Sequence, residues 1–157
     1  MLEIFIDGDA CPVKDEVYAV AARLGLAVVV VANQRIQVPR DLGIEMVVVA
    51  EGPDAADDWI AAEIRPGDIV VTADLPLAAR CLAVGAHALG TNGRELTPDS
   101  IGGALATRDL KADLRQAGFV GGGPPPMGPR DRSRFSNELD RIAQRALRAE
   151  RERSGRR

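Results

Sequence analysis

Short apolar runs alternate with helix-periodic stretches through the first 90 residues, and that alternation limits the fold more than any other feature. Leu2 to Ile6, Leu26 to Ala32, Ile44 to Ala50 and Ile69 to Asp74 are rich in Val and Ile and too short for typical helices, which predicts buried strands. Val17, Val20, Ala21 and Leu24 recur at helical spacing behind Pro12, with Gly25 as the C-cap. Residues 55–64 and 75–84 predict two further helices, and Ala86 to Gly90 a fifth, edge strand. Aromatic residues make up only 3% of the chain, so the core is Val, Ile, Leu and Ala. That suits parallel strands under Ala-rich helices. With right-handed crossovers the expectation is an α/β fold of three α/β/α layers, its five-stranded, mostly parallel sheet ordered 3-2-1-4-5.

At 157 residues one domain is expected. It divides into a core over 1–117, a Gly/Pro-rich loop over 118–129, an amphipathic helix over 130–152 that packs on the core, and a disordered tail over 153–157. The core ends in a helix starting at Thr97-Pro98-Asp99, which runs to about residue 106 or continues through Leu110 and Leu114 to Gln116. Phe135, Leu139, Ile142, Ala146 and Leu147 share one face of the last helix. Charge is unevenly spread: residues 1–107 hold 7 Lys/Arg against 16 Asp/Glu, and residues 108–157 hold 13 against 7. An acidic body with a basic end points to a polyanionic partner, unless the arginines only solvate a helix. Cys11 and Cys81 lack the spacing of a disulfide framework or a zinc site, which favours a reducing, cytoplasmic setting. No apolar run approaches the roughly 20 residues of a membrane span, and no charged-then-apolar signal segment is visible.

The chemistry is expected where strands end. Strand 1 runs into Asp7-Gly8-Asp9, strand 4 into Thr72-Ala73-Asp74, and the helix after strand 3 opens with Asp57 and Asp58. Strands 1 and 4 are neighbours at the switch point of the expected sheet, so these acids converge on one crevice. Clustered carboxylates repel unless a cation neutralises them, and Mg²⁺ or Mn²⁺ is the hard cation that suits such oxygens. A metal held there activates water and stabilises phosphoryl oxygens. Capping of separate elements is the competing explanation for each acid. Asp54 and Asp57 have cap-like spacing, whereas Asp58 falls one residue too late to cap.

Asp7-Gly8-Asp9-Ala10-Cys11-Pro12-Val13, Ala56-Asp57-Asp58-Trp59-Ile60, Val71-Thr72-Ala73-Asp74-Leu75-Pro76-Leu77-Ala78 and Gly128-Pro129-Arg130-Asp131-Arg132 together resemble the YaiI/YqxD family of bacterial proteins. The resemblance covers nearly the whole chain. That family is grouped with PIN-like domains, whose acidic clusters bind Mg²⁺ or Mn²⁺ in nucleases cutting RNA or DNA. The resemblance thus implies catalytic acids at Asp7, Asp9, Asp57, Asp58 and Asp74. Metal ligation falls to Asp7, Asp74 and one of Asp57 and Asp58, taken as Asp58, with Asp9 bound directly or through water. The implied partner is nucleic acid, RNA ahead of DNA, hydrolysed to a 5′-phosphate and a 3′-hydroxyl. Asn33, Thr72, Arg130 and Arg132 are candidate substrate contacts, the arginines because guanidinium forks match phosphate oxygens.

Two rivals stand beside this reading. A haloacid-dehalogenase-like phosphatase also begins with a strand and Asp-x-Asp, but Cys11 replaces its Thr or Val and no basic residue fits its lysine. A non-catalytic metal- or nucleic-acid-binding module would keep the acids as an ion site. Cysteine-nucleophile chemistry finds no support, since the only histidine, His87, sits on the expected edge strand. Trp59 is expected to pack its helix onto the sheet.

Overall fold

The computed structural model describes residues 2–40, 43–52, 54–116 and 127–155. The chain runs through β1 (Glu3–Asp7), α1 (Lys14–Leu24), β2 (Ala27–Ala32), β3 (Ile44–Val48), α2 (Ala55–Glu63), β4 (Ile69–Val71), α3 (Leu75–Val84) and β5 (His87–Leu89). It then forms β6 (Glu95–Leu96), α4 (Pro98–Gln116) and α5 (Pro129–Gly155). Most of the Gly/Pro-rich loop lies outside the described residues. The final helix extends to Gly155, into the segment read from sequence as tail.

The sheet order is β3-β2-β1-β4-β5-β6, parallel throughout except for the antiparallel β5–β6 pair. The expected order of five strands is therefore present, and a sixth strand is added. Glycine makes that addition possible. Gly90 N–H donates to Arg94 O and Gly93 N–H to Gly90 O, both at 2.9 Å, and Gly93 sits at φ +84°, a conformation that favours glycine. The resulting turn lays Glu95-Leu96 back along β5, which is an interior strand rather than an edge. A two-residue strand is too short for any alternation to register in sequence.

The side-chain period of two sorts each strand between two cores. Ile4, Ile6, Val28, Val30, Ile69 and Val71 face one layer, closed by Val17, Val20 and Ala21 of α1 and Phe135, Leu139 and Ile142 of α5. Phe5, Val29, Val31 and Val70 face the other, closed by Ala56 and Ile60 of α2 and Leu77, Ala78 and Cys81 of α3. Trp59 packs on this second core with its ring centroid 6.3 Å from that of Phe5. The chain leaves β1 toward the first layer and leaves β4 toward the second. A crevice therefore opens between their carboxyl ends, as in other doubly wound sheets.

Candidate active site

The β1–α1 loop is held in a fixed shape. Gly8 N–H donates to Val31 O at 2.7 Å, pressing the backbone against β2. A Cβ at Gly8 would lie 2.8 Å from Val30 Cγ1 and 2.9 Å from Ile36 Cδ1, so glycine is required by space. Lys14 Nζ donates to Gly8 O at 3.0 Å and Cys11 O at 3.1 Å, tying both ends of the loop to the first turn of α1. Lys14 escaped the sequence reading; its place three residues after Cys11, in a first helical turn beside two acids, was the available signal.

Asp7, Asp57 and Asp74 are the acids this architecture brings together. Asp7 ends β1, and Asp74 is the N-cap of α3, accepting Leu77 N–H at 2.9 Å. Asp57 lies in the first turn of α2, half-buried. Burial and the charges of the neighbouring Asp74, Asp7 and Asp54 raise its pKa from 3.8 to about 6. Asp7 is also raised, by burial and by the neighbouring Asp9 and Asp74 charges, against the N–H of Asp9 and the Lys14 ammonium. Asp7 and Asp74 line a cavity of about 120 Å³ with Cys11, Thr72 and Thr91.

The other sequence candidates occupy different places. Asp9 is exposed, and its Oδ2 accepts the Asn33 N–H at 2.8 Å. Asn33 Nδ2 reaches Gly52 O at 3.5 Å, while its Oδ1 is buried without a hydrogen-bond partner. Asn33 thus links the β1–α1 loop to the entrance of α2. Asp58, not Asp57, turns away: it is 64% exposed and paired with Arg80 at 2.8 Å. Consecutive helical residues point about 100° apart and Ala56 and Ile60 fix which side of α2 docks, so Asp57 rather than Asp58 lies beside Asp74.

Thr72 is buried, and its Oγ1 accepts the Asp74 N–H at 2.9 Å, so it positions that acid. Thr91 stands at the matching end of β5; no sequence pattern singled it out. Arg132 is engaged away from the cavity, donating to Glu16 Oε1 at 2.9 Å and Pro12 O at 3.1 Å. Arg130 is exposed, and no contact places it at the carboxylates. Part of the basic end meets the acidic body, with Arg132 on Glu16 and both Arg141 and Arg145 on Glu95, while Arg23 of the body pairs with Asp140 of α5. Cys11 is buried and its thiol pushed up, which disfavours a thiolate nucleophile.

Among the described residues no three His, Cys, Asp or Glu side chains already stand as a metal-coordinating group. Mg²⁺ does not need such a cage: it is held through one or two carboxylates and keeps several waters. The close Asp57–Asp74 pair, with Asp7 beside it, is a hard-oxygen donor set of that kind. No helix among the described residues is long and apolar enough to cross a membrane.

Residues 5–145 match the model of the family described as "Uncharacterized BCR, YaiI/YqxD family". A UPF0178 protein of Paramagnetospirillum magneticum is 57% identical over 148 residues, covering 94% of this chain and 98% of its own length. Similar proteins from Azorhizobium caulinodans and Rhodospirillum rubrum are each 55% identical, covering 94% and 91% of this chain and 93% and 96% of their own. No solved structure matches the chain.

Proposed function

The chain belongs to the YaiI/YqxD family, and from the carboxylates gathered beside its β1 and β4 ends we propose that it is a PIN-like, Mg²⁺- or Mn²⁺-dependent nuclease hydrolysing phosphodiester bonds. The observation that carries this reading is the meeting of Asp7, Asp57 and Asp74 from three separate elements. None of the three has an arginine or lysine ion pair among the described residues. Acids kept only for stability would be paired or spread apart, since facing carboxylates cost free energy.

Asp7, Asp57 and Asp74 would hold the cation, which when bound supplies positive charge to phosphoryl oxygens and activates water. The chain's own contribution is orientation and proton control. Thr72 fixes the backbone of Asp74, and the α3 N-terminus fixes its side chain through Leu77 N–H. Lys14 stiffens the loop carrying Asp7 and offsets part of its negative field. Asp57 holds a proton below about pH 6 and releases it above, so the donor set is fully anionic only on the alkaline side.

The test is hydrolysis of labelled single-stranded RNA and DNA in Mn²⁺ or Mg²⁺, against EDTA. Asp7→Asn, Asp57→Asn and Asp74→Asn are expected to lose at least a hundredfold in rate, and Asp58→Asn less than threefold. Cleavage unaffected by EDTA, or full activity in Asp57→Asn and Asp74→Asn, overturns the reading. Hydrolysis of a small phosphate ester without oligonucleotide cleavage would replace it with the phosphatase.

A further inference from the structure

We propose that the groove between the β5–β6 turn and α4 is the channel for a single strand of nucleic acid, with Arg94 as its phosphate contact. The inference deepens the nuclease reading and rests on it for what happens at the inner end. The groove encloses about 900 Å³ and shares Thr72, Ala73 and Thr91 with the carboxylate cavity, so a chain lying in it arrives at the acids. That volume falls within the roughly 300–1,000 Å³ of ordinary ligand sites.

Its wall is rich in donors. Arg94 is exposed and makes no ion pair among the described residues. Asn92 uses its Oδ1 to accept the Arg94 N–H at 3.0 Å, and its amide N–H groups donate to no acceptor among the described residues. Among the described residues Glu95 is the only acid lining the groove, and two arginines of α5, Arg141 and Arg145, neutralise it. Arg141 also pairs with Glu138, so two guanidinium groups meet two carboxylates at this end and Arg94 adds a positive charge beyond them. A polyanion is thus attracted to the outer end and repelled at the inner one unless a divalent cation bridges it to the acids.

The opposite wall is stripped of bulk. Gly103 and Ala104 of α4 line it, and a Cβ at Gly103 would meet nothing within 4 Å. Among the described residues no aromatic side chain lines the groove, so what it offers a strand is contact to the backbone rather than a base-stacking platform.

Fluorescence anisotropy of a labelled single-stranded oligouridylate, with Ca²⁺ in place of Mg²⁺, tests this in the full chain. Arg94→Glu and Gly103→Phe are each expected to weaken binding at least tenfold, and Arg94→Gln to lower the salt slope by about one. Gly102→Phe is the matched control, because Gly102 also meets nothing within 4 Å yet does not line the groove. It is expected to stay within twofold. Absent binding by the wild type, or equal binding by wild type, Arg94→Glu and Gly103→Phe, overturns the channel. If those variants lose binding while the wild type fails to cut the same strand in Mn²⁺, the channel stands and the nuclease reading falls.

Discussion

Asp57→Asn should stabilise the protein while abolishing its chemistry. Raising a carboxyl from 3.8 to about 6 corresponds at most to about 3 kcal/mol, at 1.36 kcal/mol per pH unit. Asp57 is only half-buried, so solvent screening and the favourable α2 N-terminus reduce the net gain to about 1 kcal/mol. The sign follows from linkage. The native state binds the extra proton between about pH 4 and 6, so its stability is full below pH 4 and falls as pH rises through about 6. Asparagine carries no charge to expel, so the benefit appears only above that window. For a chain of this size it amounts to a rise of about 2–4 °C in Tm at pH 8, fading to nothing near pH 4. Calorimetry at both pH values, with EDTA present, measures it. A lower Tm for Asp57→Asn at pH 8, or the same gain at both pH values, refutes the claim that Asp57 stands in a repulsive cluster.

Asp74→Ala should cost about 1 kcal/mol through the lost α3 cap, whereas Asp74→Asn keeps the cap and loses only cleavage; urea denaturation separates the two. Saturating Mn²⁺ at a hundredfold its Kd should stabilise the wild type by about 2.7 kcal/mol, and Asp57→Asn and Asp74→Asn far less, in thermal melts. Arg132→Ala should destabilise by about 1 kcal/mol, since it strands a mostly buried Glu16, and leave kcat and KM unchanged; a raised KM would restore it as a phosphate contact. Gly93→Ala should cost about 1–3 kcal/mol, because φ is +84° and its Cβ would come 3.2 Å from Phe135 Cα, as chemical denaturation would report.

Periodicity determined the order of the first five strands. Alternating runs of period two and 3.6 admit few arrangements once crossovers are right-handed, so β1 beside β4, and hence Asp7 beside Asp74, was legible before any coordinates. Contacts between distant segments were not. Asp57 or Asp58 enters the crevice according to how α2 docks through Ala56 and Ile60, a matter of packing that local spacing leaves open. The basic end looked available to a polyanion, but Arg132, Arg141 and Arg145 meet acids of the body 46 to 116 residues away in the chain. Among the described residues Arg94, an isolated cation in sequence, is the one that folding leaves beside a groove reaching the carboxylates. Sequence pattern records local backbone preference and the burial of faces; which charges neutralise one another is settled only when those faces close on a shared core.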